Sequence, residues 1–309
     1  MIEENISLKN LSYYKIGGNA KYYLKFKNKD ELIAGLKEAK EKGIAKMFIT
    51  GGVTNLLIDD GGYDGLILHN DIDEITDNFP NVKYGAGLLF SKAINYCIEK
   101  EYSGFEWAGG LPGSLGGAVR GNAGSFGGET KDNIGNVESL DLETLETKIR
   151  SKEECAFTYR GSIFKNEKLD ECILFCGFFF KKGQKYDIEA KVKANIRYRL
   201  DNQPLNYPSA GSTFKNVPVS KVTPELAEKY KEFIKNDPFS VVPVALLLSE
   251  AGLKGKKIGN AQIAEKHPNF LINLGDAKSS EVLQLIEYAK KTVKDKFGVE
   301  IETEIIYLK

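Results

Sequence analysis

Neither sign of charge prevails in this chain: its 309 residues carry 43 Lys plus Arg and 43 Asp plus Glu. That balance gives no support to nucleic-acid binding as a main role, while leaving room for a local basic pocket for phosphate. Long apolar runs are missing as well. None approaches the roughly 20 residues of a membrane span. The start, Met1 to Asn10, places Glu3, Glu4 and Lys9 where a secretory leader would be apolar. A cytoplasmic protein without membrane insertion is therefore expected. Histidine is scarce, at two residues, and the four cysteines (Cys97, Cys155, Cys172 and Cys176) form no CxxC pair. No metal site is expected, and the thiols read as small buried hydrophobes of a reducing compartment. Also absent are a G-x-G-x-x-G opening a helix, a G-x-x-x-x-G-K-[ST] loop, internal repeats and low-complexity tails. Any nucleotide site here is neither of the Rossmann nor of the P-loop kind.

What is present is an ordinary globular mixture, 42% hydrophobic and 28% charged, long enough for two or three domains of roughly 100–150 residues. Ala20, Tyr22, Leu24 and Phe26 alternate as on a half-buried strand. Asp30 then reads as the N-cap of a helix through Leu32, Ile33, Leu36 and Ala39 that Gly43 ends. Met47 to Thr50, Gly65 to His69 and Val82 to Ala86 read as strands, and Leu89 to Lys100 as a helix. Residues 137–142 and 145–150 resemble a hairpin turning through Glu143-Thr144, and Cys172 to Phe180 is a strongly apolar strand. Past Arg199, Asn202-Gln203-Pro204 and Tyr207-Pro208 punctuate a loop, followed by helices expected over 224–235, 243–251 and 280–296 and a closing strand over 299–307. Strands and helices mix without regular βαβ alternation, so the class is α+β. The expected domains are 1–78, 79–200 and 201–309.

Residues 104 to 128 read GFEWAGGLPGSLGGAVRGNAGSFGG, with glycine at ten of 25 positions. Glycine admits positive φ and lets backbone N–H groups approach a ligand with no Cβ in the way. Successive amides can then hold a pyrophosphate as an anion nest. A flexible linker would not interleave Trp107, Leu111, Leu115, Val119 and Phe126 with its glycines. Gly51-Gly52-Val53-Thr54-Asn55, between a strand and the apolar Leu56-Leu57-Ile58, is a second and weaker candidate cradle. These residues by themselves imply a nucleotide or dinucleotide cofactor of unspecified identity.

Longer motifs narrow it. GLPGSLGGAVRGNAGSFGGE, FTYRGSIF, NQPLNYPSAGSTFKN, GLKGKKIGNAQIAEKHPNF and the closing IETEI stand in the order of one family. From Lys15-Ile16-Gly17-Gly18 to Glu304 the chain resembles the UDP-N-acetylenolpyruvoylglucosamine reductases, in their shorter, type II form. The resemblance implies a vanillyl-alcohol-oxidase or PCMH-type FAD-binding fold of two α+β subdomains, with a C-terminal α+β substrate domain. It implies non-covalent FAD, NADPH as reductant, and UDP-N-acetylglucosamine enolpyruvate as substrate. Hydride would go from flavin N5 to C3 and a proton to C2, giving UDP-N-acetylmuramate for peptidoglycan. A monomer is expected. Carried over by motif, the FAD-binding residues would be Gly51, Gly52, Thr54, Asn55, Leu56, Gly110, Pro112, Gly113, Ser114, Gly116, Gly117, Asn122, Ala123 and Gly124, and the substrate-binding ones Lys215 and Asn216.

Three residues would carry the chemistry. Ser212, in SAGSTFKN, would donate the proton; a serine after glycine is by itself usually a turn hydroxyl. Arg160, following Phe157 and Tyr159, would bind the enolpyruvyl carboxylate and stabilise the enolate. Glu304 shares a face with Glu300 and Glu302 that periodicity alone reads as solvated, and the family motif singles it out. His267 is expected to be structural. One departure concerns the cofactor: Val53 puts a β-branched side chain where family members commonly carry glycine. Another flavin oxidoreductase of the same cofactor fold, or a non-catalytic nucleotide-binding relative, is the alternative reading.

Overall fold

A computed structural model describes residues 1–166, 170–236 and 239–309. They form two compact units that interleave along the chain. The first comprises Met1–Ile6, Ala20–Gly52 and Asp64–Arg199, the second Ser7–Asn19, Val53–Tyr63 and Leu200–Lys309. Segment 1–78 is thus divided between units instead of forming one subdomain. The cause is long-range pairing: Leu56–Ile58 runs parallel to Ile306–Leu308, and Tyr14, Ile16 and Leu57 belong to the same core as Val299 and Ile305.

The first unit has two main sheets, beside two small two-stranded ones among the described residues. One takes its strands in the order Glu3–Ser7, Asn19–Phe26, Tyr63–Asn70, Met47–Thr50, the last two parallel. Helix Lys29–Glu41 buries Leu32, Leu36 and Ala39 in a core with Leu24, Phe26, Leu66 and Leu68. Its N-cap is Asn28 and not Asp30: the Asn28 side chain accepts the Glu31 amide at 2.9 Å. Asp30 instead lies in the first turn, where its charge suits the helix dipole. The other sheet is antiparallel, in the order Thr147–Ser151, Ile134–Asp141, Glu171–Phe179, Asn81–Gly85, Ile75–Asn78. Its core is aromatic, with Phe105 ring-to-ring at 4.9 Å from Phe90, Phe178 and Phe180. Glu171–Phe179 serves both cores, Cys172 and Leu174 facing one and Ile173, Cys176 and Phe178 the other. A strand buried on two faces reads as a continuous apolar run, which is how it stood out in the sequence. All four cysteines are free and buried.

Helix Lys185–Asn202 has no counterpart among the expected elements. Only Ile188, Val192 and Arg199 of it are buried, too thin a stripe for helical periodicity to register.

In the second unit an antiparallel sheet runs Ser209–Ser212, Phe270–Asn273, Ala261–Ile263, Lys257–Ile258. Helices Val244–Glu250 and Ser279–Phe297 pack Val244, Leu247, Leu248, Val282, Leu285, Ile286, Ala289 and Val293 into its core. Two expectations change. The helix over 224–235 is α-helical only at Pro224–Lys229, because buried Tyr230 leaves helical geometry at φ −105° and a 3₁₀ turn follows. The closing strand is shorter than 299–307. Val299, Ile301 and Ile305 are buried as the alternation implied, yet a ladder forms only at Ile306–Leu308, with a single bridge from Thr303 to Phe214.

Candidate functional site

In the first unit the two glycine loops are pressed together. A Cβ on Gly52 would stand 2.7 Å from the Gly113 Cα, and one on Gly51 would stand 2.2 Å from the Ser114 hydroxyl. Neither position tolerates a side chain, so backbone faces backbone. Gly110 and Gly113 have φ of +74° and +109°, which L side chains rarely adopt. Ser114 caps helix Leu115–Gly121 by accepting the Gly117 amide at 3.4 Å. A Cβ on Gly116 would meet that of Ala86 at 2.8 Å, so this glycine serves helix-to-strand packing.

These contacts narrow the anion nest. The Leu115 and Gly116 amides donate to the Leu88 and Ala86 carbonyls at 2.9 and 2.8 Å, so the first turn of the helix is already satisfied. Among the described residues the amides of Gly52, Gly113 and Ser114 donate to no protein acceptor. Three N–H groups from two touching, Cβ-free loops are the donors suited to a pyrophosphate. Pro112 is exposed beside them. Asn122, grouped with the cofactor residues on motif grounds, is fully buried and works inward. Its Nδ2 donates to Glu129 and to the Thr158 carbonyl, both at 3.0 Å, and its Oδ1 accepts the Lys131 amide at 3.1 Å. The Ala123 carbonyl accepts from both the amide and the hydroxyl of Thr130. These two residues therefore hold the frame behind Gly124.

Arg160 stands at the third position of a tight turn closed by paired hydrogen bonds between Thr158 and Gly161. Its φ is +57°, a conformation glycine or asparagine normally supplies there. The guanidinium lies over the Tyr159 ring, 5.1 Å from its centroid, and donates to the Gly124 carbonyl at 3.1 Å. A Cβ on Gly124 would come within 3.2 Å of Arg160 Nη1, so the bare backbone at 124 admits the guanidinium. The Arg160 backbone is a strained one for a residue that carries a Cβ.

The second unit gathers the other candidates. Ser212 ends strand Ser209–Ser212 opposite Phe270, after an irregularity at Gly211 with φ +78°. The Glu304 amide donates to the Thr213 carbonyl at 2.7 Å, and the Lys215 amide to the Glu302 carbonyl at 2.9 Å. Ser212 and Glu304 are thereby held on adjacent, hydrogen-bonded segments. Asn269 fixes this register: it accepts the Phe214 amide at 2.9 Å and donates to the Phe214 carbonyl at 2.8 Å. Asn55 secures the other side, its Nδ2 reaching the Glu304 carbonyl at 3.2 Å while its own carbonyl accepts the Ile306 amide at 3.0 Å. Thr54, Asn55 and Leu56 thus belong with Glu304, and Gly51 and Gly52 with the glycine-rich loop. Val53, at the junction, is 7% exposed with φ +49°.

Lys215 is half-buried and pairs with Glu302 at 3.2 Å, and Asn216 Oδ1 accepts the Val244 amide at 3.2 Å. The Asn216 Nδ2 has no protein partner among the described residues. His267 is half-buried, edge-on to Phe270, and that partial burial pushes its imidazole down from the usual histidine range. Sequence reasoning missed Asn269 and Arg199. The first was hidden because an amide in a loop has no periodic signature, the second because its helix was not recognised.

The chain matches known proteins over its whole length. Residues 203–308 match the family "UDP-N-acetylenolpyruvoylglucosamine reductase, C-terminal domain", and residues 20–144 match "FAD binding domain". It is 35% identical over 305 residues to the UDP-N-acetylenolpyruvoylglucosamine reductase of Clostridium novyi, covering 98% of this chain and 91% of that one. Against the enzyme of the same name from Caldicellulosiruptor bescii it is 37% identical over 304 residues, covering 97% and 88%. The crystal structure of UDP-N-acetylenolpyruvylglucosamine reductase from Thermus caldophilus superposes with a TM-score of 0.77 at 26% identity, over 100% of this chain and 99% of that one.

Proposed function

The chain belongs to the UDP-N-acetylenolpyruvoylglucosamine reductase family, and from that premise we propose how its residues divide the reaction between them. It is an FAD-dependent enzyme that uses NADPH to reduce the enolpyruvyl ether of UDP-N-acetylglucosamine enolpyruvate to UDP-N-acetylmuramate, for peptidoglycan. The fold is α+β, an FAD-binding PCMH-type part joined to the family's C-terminal domain.

The fit of FAD rests on two loops packed so closely that a Cβ at Gly51 or Gly52 would collide with Ser114 or Gly113, leaving backbone amides without protein acceptors. The amides of Gly52, Gly113 and Ser114 would hold its pyrophosphate. Bound and reduced, FAD supplies the hydride added at C3 of the enolpyruvyl group. Arg160 binds the enolpyruvyl carboxylate, and its fixed charge stabilises the enolate left when C3 gains hydride. Ser212 gives its hydroxyl proton to C2. A serine hydroxyl is a weak acid, and Glu304, on the adjacent hydrogen-bonded segment, is the acidic group assigned to support it. The observation that carries this assignment is the 2.7 Å bond from the Glu304 amide to the Thr213 carbonyl, which couples the two residues' positions. Lys215 and the Asn216 Nδ2 hold the UDP-sugar. Work as a cytoplasmic monomer is part of the same reading, with free buried thiols suited to a reducing compartment.

The test separates the half-reactions. In Ser212→Ala, reduction of bound FAD by NADPH should keep its rate, while formation of UDP-N-acetylmuramate should fall about 10²- to 10⁴-fold, the usual worth of general acid catalysis. Product formation at the wild-type rate would remove Ser212 from the role of proton donor.

A further inference from the structure

Arg199 is a buried cation, 8% exposed, with no carboxylate in salt-bridge reach among the described residues. Two other buried charges of its unit are matched: Arg150 pairs with Glu171, and Glu129 with Lys131 at 2.7 Å. Burial alone pushes the Arg199 guanidinium down, to about 10, still charged at neutral pH. An unmatched buried cation is costly, and it persists where something else supplies negative charge.

Its surroundings indicate what that is. Arg199 Nε donates to the Gly109 carbonyl and Nη2 to the Ser125 hydroxyl, each at 2.9 Å. The Ser125 hydroxyl donates onward to the Trp107 carbonyl at 3.0 Å. The guanidinium lies over the Phe126 ring, 5.0 Å from its centroid. A Cβ on Gly110 would approach the Arg199 Cδ to 3.0 Å, so the loop is bare where the side chain crosses it. One side chain thereby ties the entry of the glycine-rich loop, at 107–110, to its exit, at 125–126. Between these anchors lie Gly113 and Ser114, whose amides have no protein acceptor among the described residues. The partners of the guanidinium are neutral oxygens and a π face, so its net charge remains under the loop.

We propose that Arg199 is a positioning residue for the cofactor: it closes the glycine-rich loop into its phosphate-accepting form, and its unmatched charge strengthens that loop's hold on the FAD pyrophosphate. The proposal rests on the placement of the pyrophosphate given above. It assigns Arg199 an indirect action through the loop, with no contact to the reacting atoms.

The experiment compares FAD with riboflavin, which carries the same ring and no phosphate, on protein stripped of flavin. Dissociation constants are read from flavin fluorescence, and loop order from Trp107, the chain's one tryptophan. Arg199→Gln removes the charge and should weaken FAD about tenfold, the scale of one unit charge acting from roughly 12 Å at an effective dielectric near 20. Riboflavin affinity should change much less. Arg199→Lys keeps the charge without the two-point clasp, so it should lose less FAD affinity than the Gln variant while Trp107 emission moves toward that of the Gln variant. Ser125→Ala, which leaves the arginine and its charge in place and breaks one tie of the clasp, is the variant of least risk to folding and should show a smaller loss, again greater for FAD than for riboflavin. Equal losses of FAD and riboflavin in Arg199→Gln would reduce the residue to a structural role and overturn the proposal, as would FAD affinity in Arg199→Gln equal to that of wild type. If wild-type protein failed to bind FAD at all, the cofactor reading itself would fall, a result distinct from either.

Discussion

Val53 gives the sharpest physical test, because its backbone and side chain pull in opposite directions. Its φ of +49° lies in the left-handed region, which is particularly unfavourable for a β-branched residue, while its side chain is 7% exposed. Such backbone strain costs on the order of 1–3 kcal/mol. Burial of a valine side chain returns roughly 1.5–3 kcal/mol. The two nearly cancel, which explains how valine is accommodated at a left-handed position that glycine would ordinarily take. Val53→Gly should therefore stay within about 1–2 kcal/mol of wild type. Val53→Ala loses most of the buried surface and keeps a Cβ in the left-handed region, so it should be less stable than Val53→Gly by about 1 kcal/mol. On ordinary backbone the order of Ala and Gly is reversed. The assay is equilibrium urea unfolding of the three proteins, followed by far-ultraviolet circular dichroism, with the order of midpoints as the readout. An alanine variant more stable than the glycine variant would refute the left-handed backbone at 53 and the account of this loop with it.

Other consequences follow from the same geometry. Gly52→Ala drives a methyl group to 2.7 Å from the Gly113 Cα, so protein purified with this change should carry little or no FAD; Gly121→Ala, where a Cβ meets nothing within 4 Å, should load normally by flavin absorbance. Arg160→Gly should melt close to wild type, because relief of the φ +57° strain offsets the lost contacts, while turnover falls about 10²-fold or more. A large drop in stability would contradict that balance. Burial pushes the Glu171 carboxyl up, but hydrogen bonds from Arg150, Ser139 and Lys148 outweigh it and hold the group below the usual glutamate range. A depressed carboxyl stabilises the fold above its unfolded pKa of about 4.3, and that share is lost as pH falls through the folded value. The stability gap between wild type and Glu171→Gln, measured by urea unfolding at stepped pH, should thus narrow below about pH 4. A constant gap would mean that Glu171 does not titrate as its partners imply.

Much of the site was legible because its chemistry is written in residue types that have few other uses. Gly110, Gly113 and the Gly51-Gly52 pair announce positive φ and close backbone approach, and both occur. The ordered motifs around Arg160, Ser212 and Glu304 supplied the reaction that composition could not. Other features depend on contacts far apart in sequence. The pairing of residues 56–58 with 306–308 draws the first hundred residues into two units, and no local periodicity reports it. Helix Lys185–Asn202 is held by two aliphatic residues and a buried arginine, so its amphipathic signal is faint and Arg199 stayed hidden inside it. The nest itself also contracted. Seven glycines line residues 109–124, yet the capped helix satisfies the amides of Leu115, Gly116, Gly117 and Ala118, so the free donors narrow to a few amides, those of Gly52, Gly113 and Ser114 among them. Asn122 shows the same limit: a motif can locate a residue without revealing whether its side chain faces a ligand or the frame.

The most direct measurement follows NADPH consumption by the FAD-loaded protein with and without UDP-N-acetylglucosamine enolpyruvate, with the product identified by mass. NADPH loss should be slow alone, should accelerate when the enolpyruvyl sugar is added, and should match one for one the appearance of a product two hydrogens heavier. NADPH consumption that ignores the sugar, with the sugar recovered at its original mass, would contradict the account.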